Sequence, residues 1–327
     1  MKRTVTYFVC LLLLTSFALA QAPAQTPSPP GAPRVLIVVA HPDDESCFAA
    51  TVYEIVHNLG GTVDQLVITN GEGGYRYSLL AESYYGVALT DEAVGRAALP
   101  EIRKRELLEA GRYLGINDHF FLNQRDVRNT KDIDEVLEQH WTPGVALAAV
   151  GRRLATGHYD FVFTLFPSPE THGGHKAATI TALHAVEQLP DAARRPVVLG
   201  CQTAANSAPE PSWKGFESVR YPFQVMPDVF VTDRNVKFGF NNALSYQIIV
   251  SWEVCAHKSQ GAFQAATSRP DREEFVILEP GSGAKEAKTP TARASDGVAD
   301  DEARARRLFQ ALAEEAPHPH GVSAGKP

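Results

Sequence analysis

Two short clusters in the 327-residue chain hold residue types suited to metal binding and acid–base chemistry. HPDDE at residues 41–45 sets an imidazole among three carboxylates, an arrangement that is costly unless a cation or substrate compensates it. THGGH at residues 171–175 holds two histidines three positions apart, which can face one side of a helix start. A histidine and an aspartate from the first cluster with a histidine from the second would give three nitrogen and oxygen ligands. That composition, with a fourth position left for water, is typical of a catalytic zinc site.

Each cluster also has a structural interpretation. Asp43 or Asp44 can cap a helix by accepting backbone N–H groups, and the remaining acids can interact favourably with the helix dipole. Capping accounts for one acid but leaves His41 unexplained. A single histidine is more often a surface or core residue than a ligand, so the argument for a site rests on both clusters occurring together.

The elements that carry the clusters favour a common site. The apolar runs at 35–39 and 161–165 predict buried strands directly before the two clusters. Helical patterns at 48–59 and 172–188 follow them. Ligands of open parallel sheets bind outside the carboxyl ends of the strands, so we expect the two clusters to meet at that edge.

The rest of the pattern predicts an α/β fold, with a Rossmann-like, mostly parallel sheet flanked by helices. Beyond residue 215 the pattern changes to short β-rich segments, which predict a small C-terminal elaboration. The other expected strands are 63–69, 119–122, 197–199, 216–225 and 229–232, and the other expected helices are 102–114, 145–155 and 243–257.

Two predicted connections, 70–100 and 123–144, are longer than usual for such folds and are typical of functional lids. The first contains Tyr75 and Arg76, which suit a ligand rich in hydroxyl groups and are predicted to bind substrate. A surface loop packed on itself is the alternative. Asp126, in the second connection, can meet a sugar hydroxyl or pair with its neighbour Arg125.

The chain divides into four segments. Residues 1–20 have the basic start, apolar run and small residues of a cleaved signal peptide, which predicts a secreted or periplasmic protein. A membrane anchor is the alternative, but the apolar run is shorter than the roughly 20 residues that cross a bilayer, so no stable membrane insertion is expected after cleavage. Residues 21–33 form a Pro-rich linker, 34–280 the folded domain, and 281–327 a low-complexity tail expected to be disordered, apart from an amphipathic helix around 300–315.

Composition narrows the partners. The chain has 31 Lys and Arg against 38 Asp and Glu, a net charge of −7, and no basic cluster interleaved with aromatics, so nucleic-acid binding is not expected. The expected partner is a small molecule or glycan. Once Cys10 leaves with the signal, Cys47, Cys201 and Cys255 remain. At most one pair of these can form a disulfide, and the sequence does not say which.

Five stretches together resemble the LmbE-like (PIG-L) family of zinc-dependent N-acetylglucosaminyl deacetylases. The specific one is AHPDDE at residues 40–45. The others are TNGE at 69–72, Arg103 with Glu106, the His172 and His175 pair, and HKSQ at 257–260. The resemblance covers about residues 34–262 and implies a substrate that carries an N-acyl group.

The resemblance also implies roles for individual residues. The metal would be bound by His41, Asp44 and His175. Asp43 would be the general base, His172 would lie beside the developing oxyanion, and Arg103 would contact the substrate. Zinc is the expected cofactor, and ferrous iron would accept the same ligands.

One departure from the family pattern keeps alternatives open. Members usually carry an acid next to the second histidine of the pair, where this chain has Gly174, so His172 needs another group to orient it. An exported deacetylase acting on an amino sugar or glycoconjugate is the first hypothesis. An amidase acting on a non-sugar N-acyl amine is the second, and a metal-containing carbohydrate-binding protein that has lost catalysis is the third.

Overall fold

A computed structural model of the protein describes residues 31–192, 195–209, 212–261, 270–281 and 295–315. The predicted signal peptide, most of the linker and the segments 282–294 and 316–327 of the tail lie outside the described residues. Within the described part, none of the helices combines the length and apolar composition needed to span a bilayer.

A seven-stranded sheet forms the centre of the molecule, in the order β3-β2-β1-β4-β5-β9-β6. Strands β1 to β5 run parallel, whereas β9 is antiparallel to both of its neighbours. This mostly parallel sheet confirms the predicted fold class. The strands are β1 (Arg34–Val39), β2 (Thr62–Thr69), β3 (Asp118–Gln124), β4 (Phe161–Leu165), β5 (Val197–Ala204), β6 (Phe223–Asp233) and β9 (Arg272–Pro280), and β7 (Lys237–Phe238) and β8 (Leu244–Ser245) form a separate two-stranded ladder.

Helices cover both faces of the sheet. On one face α1, α3, α7 and α8 contribute to a buried core that includes alternate β1 residues such as Ile37. On the other face, α5 and α6 share a second buried core with the intervening β1 residues, such as Leu36 and Val38. The helices are α1 (Ala49–His57), α2 (Leu79–Tyr85), α3 (Glu92–Leu114), α4 (Ile133–Glu135), α5 (Val145–Gly157), α6 (Gly173–Glu187), α7 (Tyr246–Ala256) and α8 (Ser295–Glu314).

The first long connection is more structured than predicted. Residues 70–100 contain a 3-10 turn (Glu72–Tyr77), α2 and the start of α3, so this segment is not an irregular lid. Asp91 starts α3 ten residues before the expected position, because its side chain accepts a hydrogen bond from the Val94 N–H at 3.0 Å. The helix then continues through Pro100. The second connection likewise contains α4 and one turn of π-helix (Val136–His140).

The C-terminal part also differs from the sequence prediction. One strand, β6, replaces the two segments expected after residue 215, and its pairing shifts register between Val225 and Val229. Strand β9 was not predicted. Helix α8 begins at Ser295, earlier than expected, and buries Leu308 and Phe309 in the core, so this part of the tail belongs to the folded domain.

Candidate metal centre and active site

The two clusters meet at the point where the sheet reverses its strand order. Strands β1 and β4 are neighbours in the sheet. Strand β2 lies next to β1 and strand β5 lies next to β4, so the strand order reverses between β1 and β4 and creates a crevice at their carboxyl ends. Residues 41–45 follow β1, and residues 171–175 follow β4 and run into the first turn of α6. The ring centroid of His41 lies 5.0 Å from that of His172 and 5.0 Å from that of His175. The expected convergence is therefore present.

Three ligand atoms point to a common space. His41 Nδ1 lies 3.1 Å from His175 Nε2, and Asp44 Oδ1 lies 3.6 Å from the first and 3.2 Å from the second. The other oxygen of Asp44 accepts the backbone N–H groups of Ala40 and His41, at 3.0 and 2.9 Å. These two bonds fix the carboxylate and leave Oδ1 directed at the imidazoles. Asp44 thus organises the loop before the turn rather than capping the turn itself.

The surroundings of the histidines fit a divalent cation. The Nδ1 atom of His175 lies 2.9 Å from Thr171 Oγ1. When Nδ1 carries the ring proton and donates it to that hydroxyl, the lone pair of Nε2 is directed inward. A second acceptor nitrogen, on His41, would then face it at 3.1 Å, which is unfavourable unless a proton or a cation lies between them. Two imidazoles and one carboxylate are a donor set that zinc and ferrous iron both accept.

Electrostatics favour positive charge at this point. Burial works against a charged His41, but Asp44 and Asp126 raise its pKa to about 9. Burial also opposes ionisation of Asp44, yet His175 and His41 hold the pKa of its carboxyl well below its usual range. The carboxylates that keep a proton on His41 would also attract a cation in competition with that proton.

Asp43 is held in an unusual backbone conformation beside this cluster. Its φ angle is 144°, in a region that side-chain-bearing residues rarely adopt and that is often found at functional sites. It makes no capping hydrogen bond to the 3-10 turn that follows (Asp44–Phe48). Instead Oδ1 pairs with Arg103 Nη2 at 2.9 Å. Burial raises the pKa of Asp43, and Arg103 opposes that rise.

Arg103 joins two of the strand-end loops. Its Nη1 donates to the carbonyl of Gly71 at 2.6 Å, and its Nη2 donates to the carbonyl of Pro42 at 2.7 Å. The side chain is almost fully buried, although it lines the floor of the cleft. These hydrogen bonds go to protein carbonyl groups and, with the ion pair, position Asp43. A contact between Arg103 and a substrate stays a prediction.

His172 is oriented by the backbone N–H of Gly174, the residue that stands where the family usually has an acid. Its Nδ1 accepts the N–H of Gly174 at 2.9 Å, which places the proton of a neutral ring on Nε2. Burial, together with His41 and His175, lowers the pKa of His172 to about 4. A Cβ atom at position 174 would lie 2.8 Å from that Nδ1, so this ring position requires glycine.

A buried network supports the same turn from behind. Glu45 accepts the backbone N–H of Asp43 at 3.1 Å and pairs with His257 Nε2 at 2.7 Å. His257 also lies 3.3 Å from Glu253, and all three side chains are fully buried. Burial disfavours the charged imidazole, but Glu45 and Glu253 keep the pKa of His257 well above its usual range. His257 therefore approaches the site indirectly, through Glu45.

The cluster forms the floor of a cleft of about 320 Å³, which falls within the range of small-ligand sites. Tyr75 lies in its wall, mostly buried, with the guanidinium of Arg96 5.2 Å from its ring centroid. Arg76 is exposed, and its Nε donates to Tyr75 Oη at 3.1 Å. Both predicted substrate residues thus line the cleft. Gln260, from the HKSQ stretch, and Tyr77 also line it. Further lining residues that the sequence analysis did not select are Ser46, Gly73, Gly74, Arg96, Arg128, Asn129 and Leu165.

The chain is similar to a known family and to several solved structures. Residues 36–186 match the family model described as PIG-L, GlcNAc-PI de-N-acetylase. A triple mutant of a deacetylase of the teicoplanin biosynthetic pathway has a TM-score of 0.51 at 17% identity, over 76% of this chain and 99% of that chain. The A40926 pseudoaglycone deacetylase has a TM-score of 0.50 at 17% identity, over 78% and 100%.

A third structure, N,N'-diacetylchitobiose deacetylase from Pyrococcus horikoshii, has a TM-score of 0.47 at 18% identity, over 81% of this chain and 89% of that chain. A search of curated proteins found no match to the chain. At these identities the two structures with TM-scores of 0.50 and 0.51 show a shared fold.

Proposed function

Residues 36–186 form a PIG-L (LmbE-like) domain. On that premise we propose that the protein is a metal-dependent hydrolase that removes an N-acetyl or other N-acyl group from an amino sugar or glycoconjugate. The observation that carries the proposal is the convergence of three ligand atoms beside a partly buried carboxylate, that of Asp43. The ligand atoms of His41, Asp44 and His175 lie within 4.8 Å of one another, and Asp43 follows in the same turn.

The three ligands would hold zinc or ferrous iron. A cation bound there supplies Lewis-acid chemistry, since it lowers the pKa of a bound water and polarises a carbonyl. Asp43 accepts the proton of the attacking water, and the same carboxyl later delivers a proton to the departing amine. The products are a carboxylate, acetate for an N-acetyl group, and a free amine.

Two other residues complete the proposed centre. His172, with its proton on Nε2, donates a hydrogen bond to the oxyanion that forms when the amide carbonyl is attacked. Arg103 holds the carboxylate of Asp43 in place and favours its ionised form. A base must be ionised to accept a proton, so this contact matters for the pH range in which the enzyme works.

The cleft suits a polar ligand of about one sugar ring. Tyr75 and Arg76 present aromatic, hydroxyl and guanidinium groups to it, and Asp126 also lines it, with Oδ1 3.9 Å from His41 Nε2. Aromatic walls with a few convergent polar groups are typical of small-ligand sites. This composition supports an amino sugar over a purely apolar acyl amine.

The test is release of acetate by the zinc- or iron-loaded protein from a panel of N-acetylated amino sugars, their glycosides and non-sugar N-acyl amines. Asp43→Asn keeps the size of the side chain but cannot accept the proton, so we expect turnover to fall by about 10²–10⁴ while metal content is retained. Asp118→Asn, an exposed aspartate at the start of β3, is the matched control and should keep full activity.

Each outcome of the panel has a meaning. Turnover in Asp43→Asn equal to that of the parent would remove Asp43 from the mechanism. Hydrolysis of the non-sugar amides alone would favour the amidase alternative. Saturable sugar binding without acetate release under either metal would refute the hydrolase and favour a binding protein.

We further propose that the protein works outside the cytoplasm. The support is the signal-peptide pattern of residues 1–20. Cell fractionation and N-terminal sequencing test this proposal, with a mature N-terminus at Gln21 as the expected result. Cytoplasmic protein that starts at Met1 would contradict it.

A further inference from the structure

Two of the three cysteines in the described part of the chain lie in contact beneath the cleft. Cys47 belongs to the 3-10 turn Asp44–Phe48, and Cys201 lies near the carboxyl end of β5. Their Sγ atoms are 3.6 Å apart, and Cys201 Sγ is 3.4 Å from the carbonyl oxygen of Cys47. Cys255 is exposed on α7 and is not part of this contact.

From this juxtaposition we infer that Cys47 and Cys201 are a disulfide site, closed when the folded protein meets an oxidising thiol–disulfide environment. A disulfide requires the sulfurs to come to about 2.05 Å, so they must approach by about 1.5 Å, a movement within reach of side-chain rotation. The inference resolves the pairing that the sequence leaves open. It is independent of the proposed activity.

The environment of the two thiols sets the order of the steps. Cys47 is partly exposed and lines the cleft, so a small disulfide reagent can reach it. Cys201 is buried, and burial together with Cys47 raises the pKa of its thiol well above the usual range. Cys47 is therefore the thiol that attacks first, and Cys201 is the resolving thiol.

The exchange is balanced with a low-molecular-weight disulfide such as oxidised glutathione. The Cys47 thiolate attacks one sulfur of the reagent, which gives a mixed disulfide and releases one glutathione thiolate. Cys201 then loses its proton and attacks Cys47 Sγ, which forms the protein disulfide and releases the second thiolate. The two protein thiols give up two electrons and two protons, and the reagent is reduced to two molecules of glutathione.

The cross-link would tie together the two sides of the candidate metal centre. Cys47 lies in the turn that begins with Asp44, whereas β5 pairs with β4, the strand that leads to His175. The two cysteines are 154 positions apart, so the bond closes a long loop in the unfolded chain. Closing such a loop stabilises the folded state, and we expect Tm to rise by about 5–10 °C.

The test uses the full chain carrying Cys10→Ser, equilibrated with either oxidised or reduced glutathione. We expect thiols titrated in denaturant to fall from three to one on oxidation, with a Cys47–Cys201 linked peptide found by mass spectrometry without reduction. Cys255→Ser is the matched control. It should fall from two thiols to none and keep the gain in Tm, whereas Cys47→Ser should keep both thiols and show no gain.

Three results would overturn the inference. The first is retention of three free thiols at equilibrium with the oxidant, and the second is a linked peptide that contains Cys255. The third is a Cys47–Cys201 linkage with no gain in Tm over the reduced protein, which would mean that the bond does not fit the native fold.

Discussion

Replacement of Arg103 by glutamine tests whether this residue controls the ionisation of Asp43. The guanidinium pairs with Asp43 at 2.9 Å and donates to the carbonyls of Gly71 and Pro42. Loss of one partner from a buried ion pair typically costs about 3–5 kcal/mol, so Arg103→Gln should lower the free energy of unfolding by that order. Because the pair is nearly buried, solvent screening reduces this figure little.

The same change has a specific effect on the pH profile. Burial raises the pKa of Asp43 and Arg103 lowers it, so without Arg103 the carboxyl takes up its proton at higher pH. A base is active above its pKa and inactive below it, so the acid limb of kcat/KM should move to higher pH. An opposite charge at this distance typically shifts a carboxyl by about one to three pH units, and one unit corresponds to a tenfold loss of kcat/KM on the acid limb.

The assay is kcat/KM for acyl release from the best panel substrate, measured across the acid limb with metal content determined in parallel. Arg96→Gln is the matched control. Arg96 lies on the same helix, lines the same cleft and donates to the carbonyls of Asp126 and Val127, but its ion pair is with Glu92. An unmoved acid limb in Arg103→Gln, or the same movement in both variants, would refute the reasoning.

Two further predictions concern Gly174 and Glu54. Gly174→Ala places a Cβ 2.8 Å from His172 Nδ1 and should displace that ring, so kcat should fall by about 10²–10³ with metal content unchanged; full activity would remove His172 from the mechanism. Burial, with Glu273 and Asp233 adding to it, raises the pKa of Glu54 to about 9, so the folded state holds a proton there that the unfolded state loses above about pH 4.5. Stability therefore falls as pH rises through this window, and Glu54→Gln should stabilise the protein by about 3 kcal/mol at pH 7 but little at pH 4. Urea unfolding at the two pH values measures the difference, and an equal effect at both would contradict it.

The convergence of the proposed metal ligands could be predicted because it depends on local order and sheet topology. His41 and Asp44 follow one buried strand and His175 follows another, and strands with continuous apolar runs lie inside parallel sheets. The carboxyl ends of such strands share an edge, so residues 134 positions apart could be expected to meet.

The supporting contacts could not be predicted in the same way. Arg103 lies in the interior of α3, and nothing in its neighbouring residues indicates that it reaches back to the turn after β1. The contact of His257 with Glu45 joins residues 212 positions apart, and no local pattern indicates it. His172 is oriented by a backbone N–H, a group that every residue except proline has. Gly174 matters because it has no Cβ atom, which leaves room for the His172 ring.

The unpredicted strand β9 shows why the C-terminal elaboration belongs to the site. Its Glu273 is fully buried and accepts the N–H groups of Ala50 and Thr51 at 2.8 Å, at the start of α1. Arg234, which follows β6, pairs with Glu273 at 2.9 Å and donates to the carbonyl of Ser46 at 2.6 Å. The two acids at 273 and 274 are more typical of exposed loops, whereas the apolar run FVIL at residues 275–278 is the signal in the sequence that indicates this strand. In the structure Glu273 and Arg234 together anchor the end of the turn that begins with Asp44. The position of Asp44 therefore depends on strands more than 180 residues further along the chain.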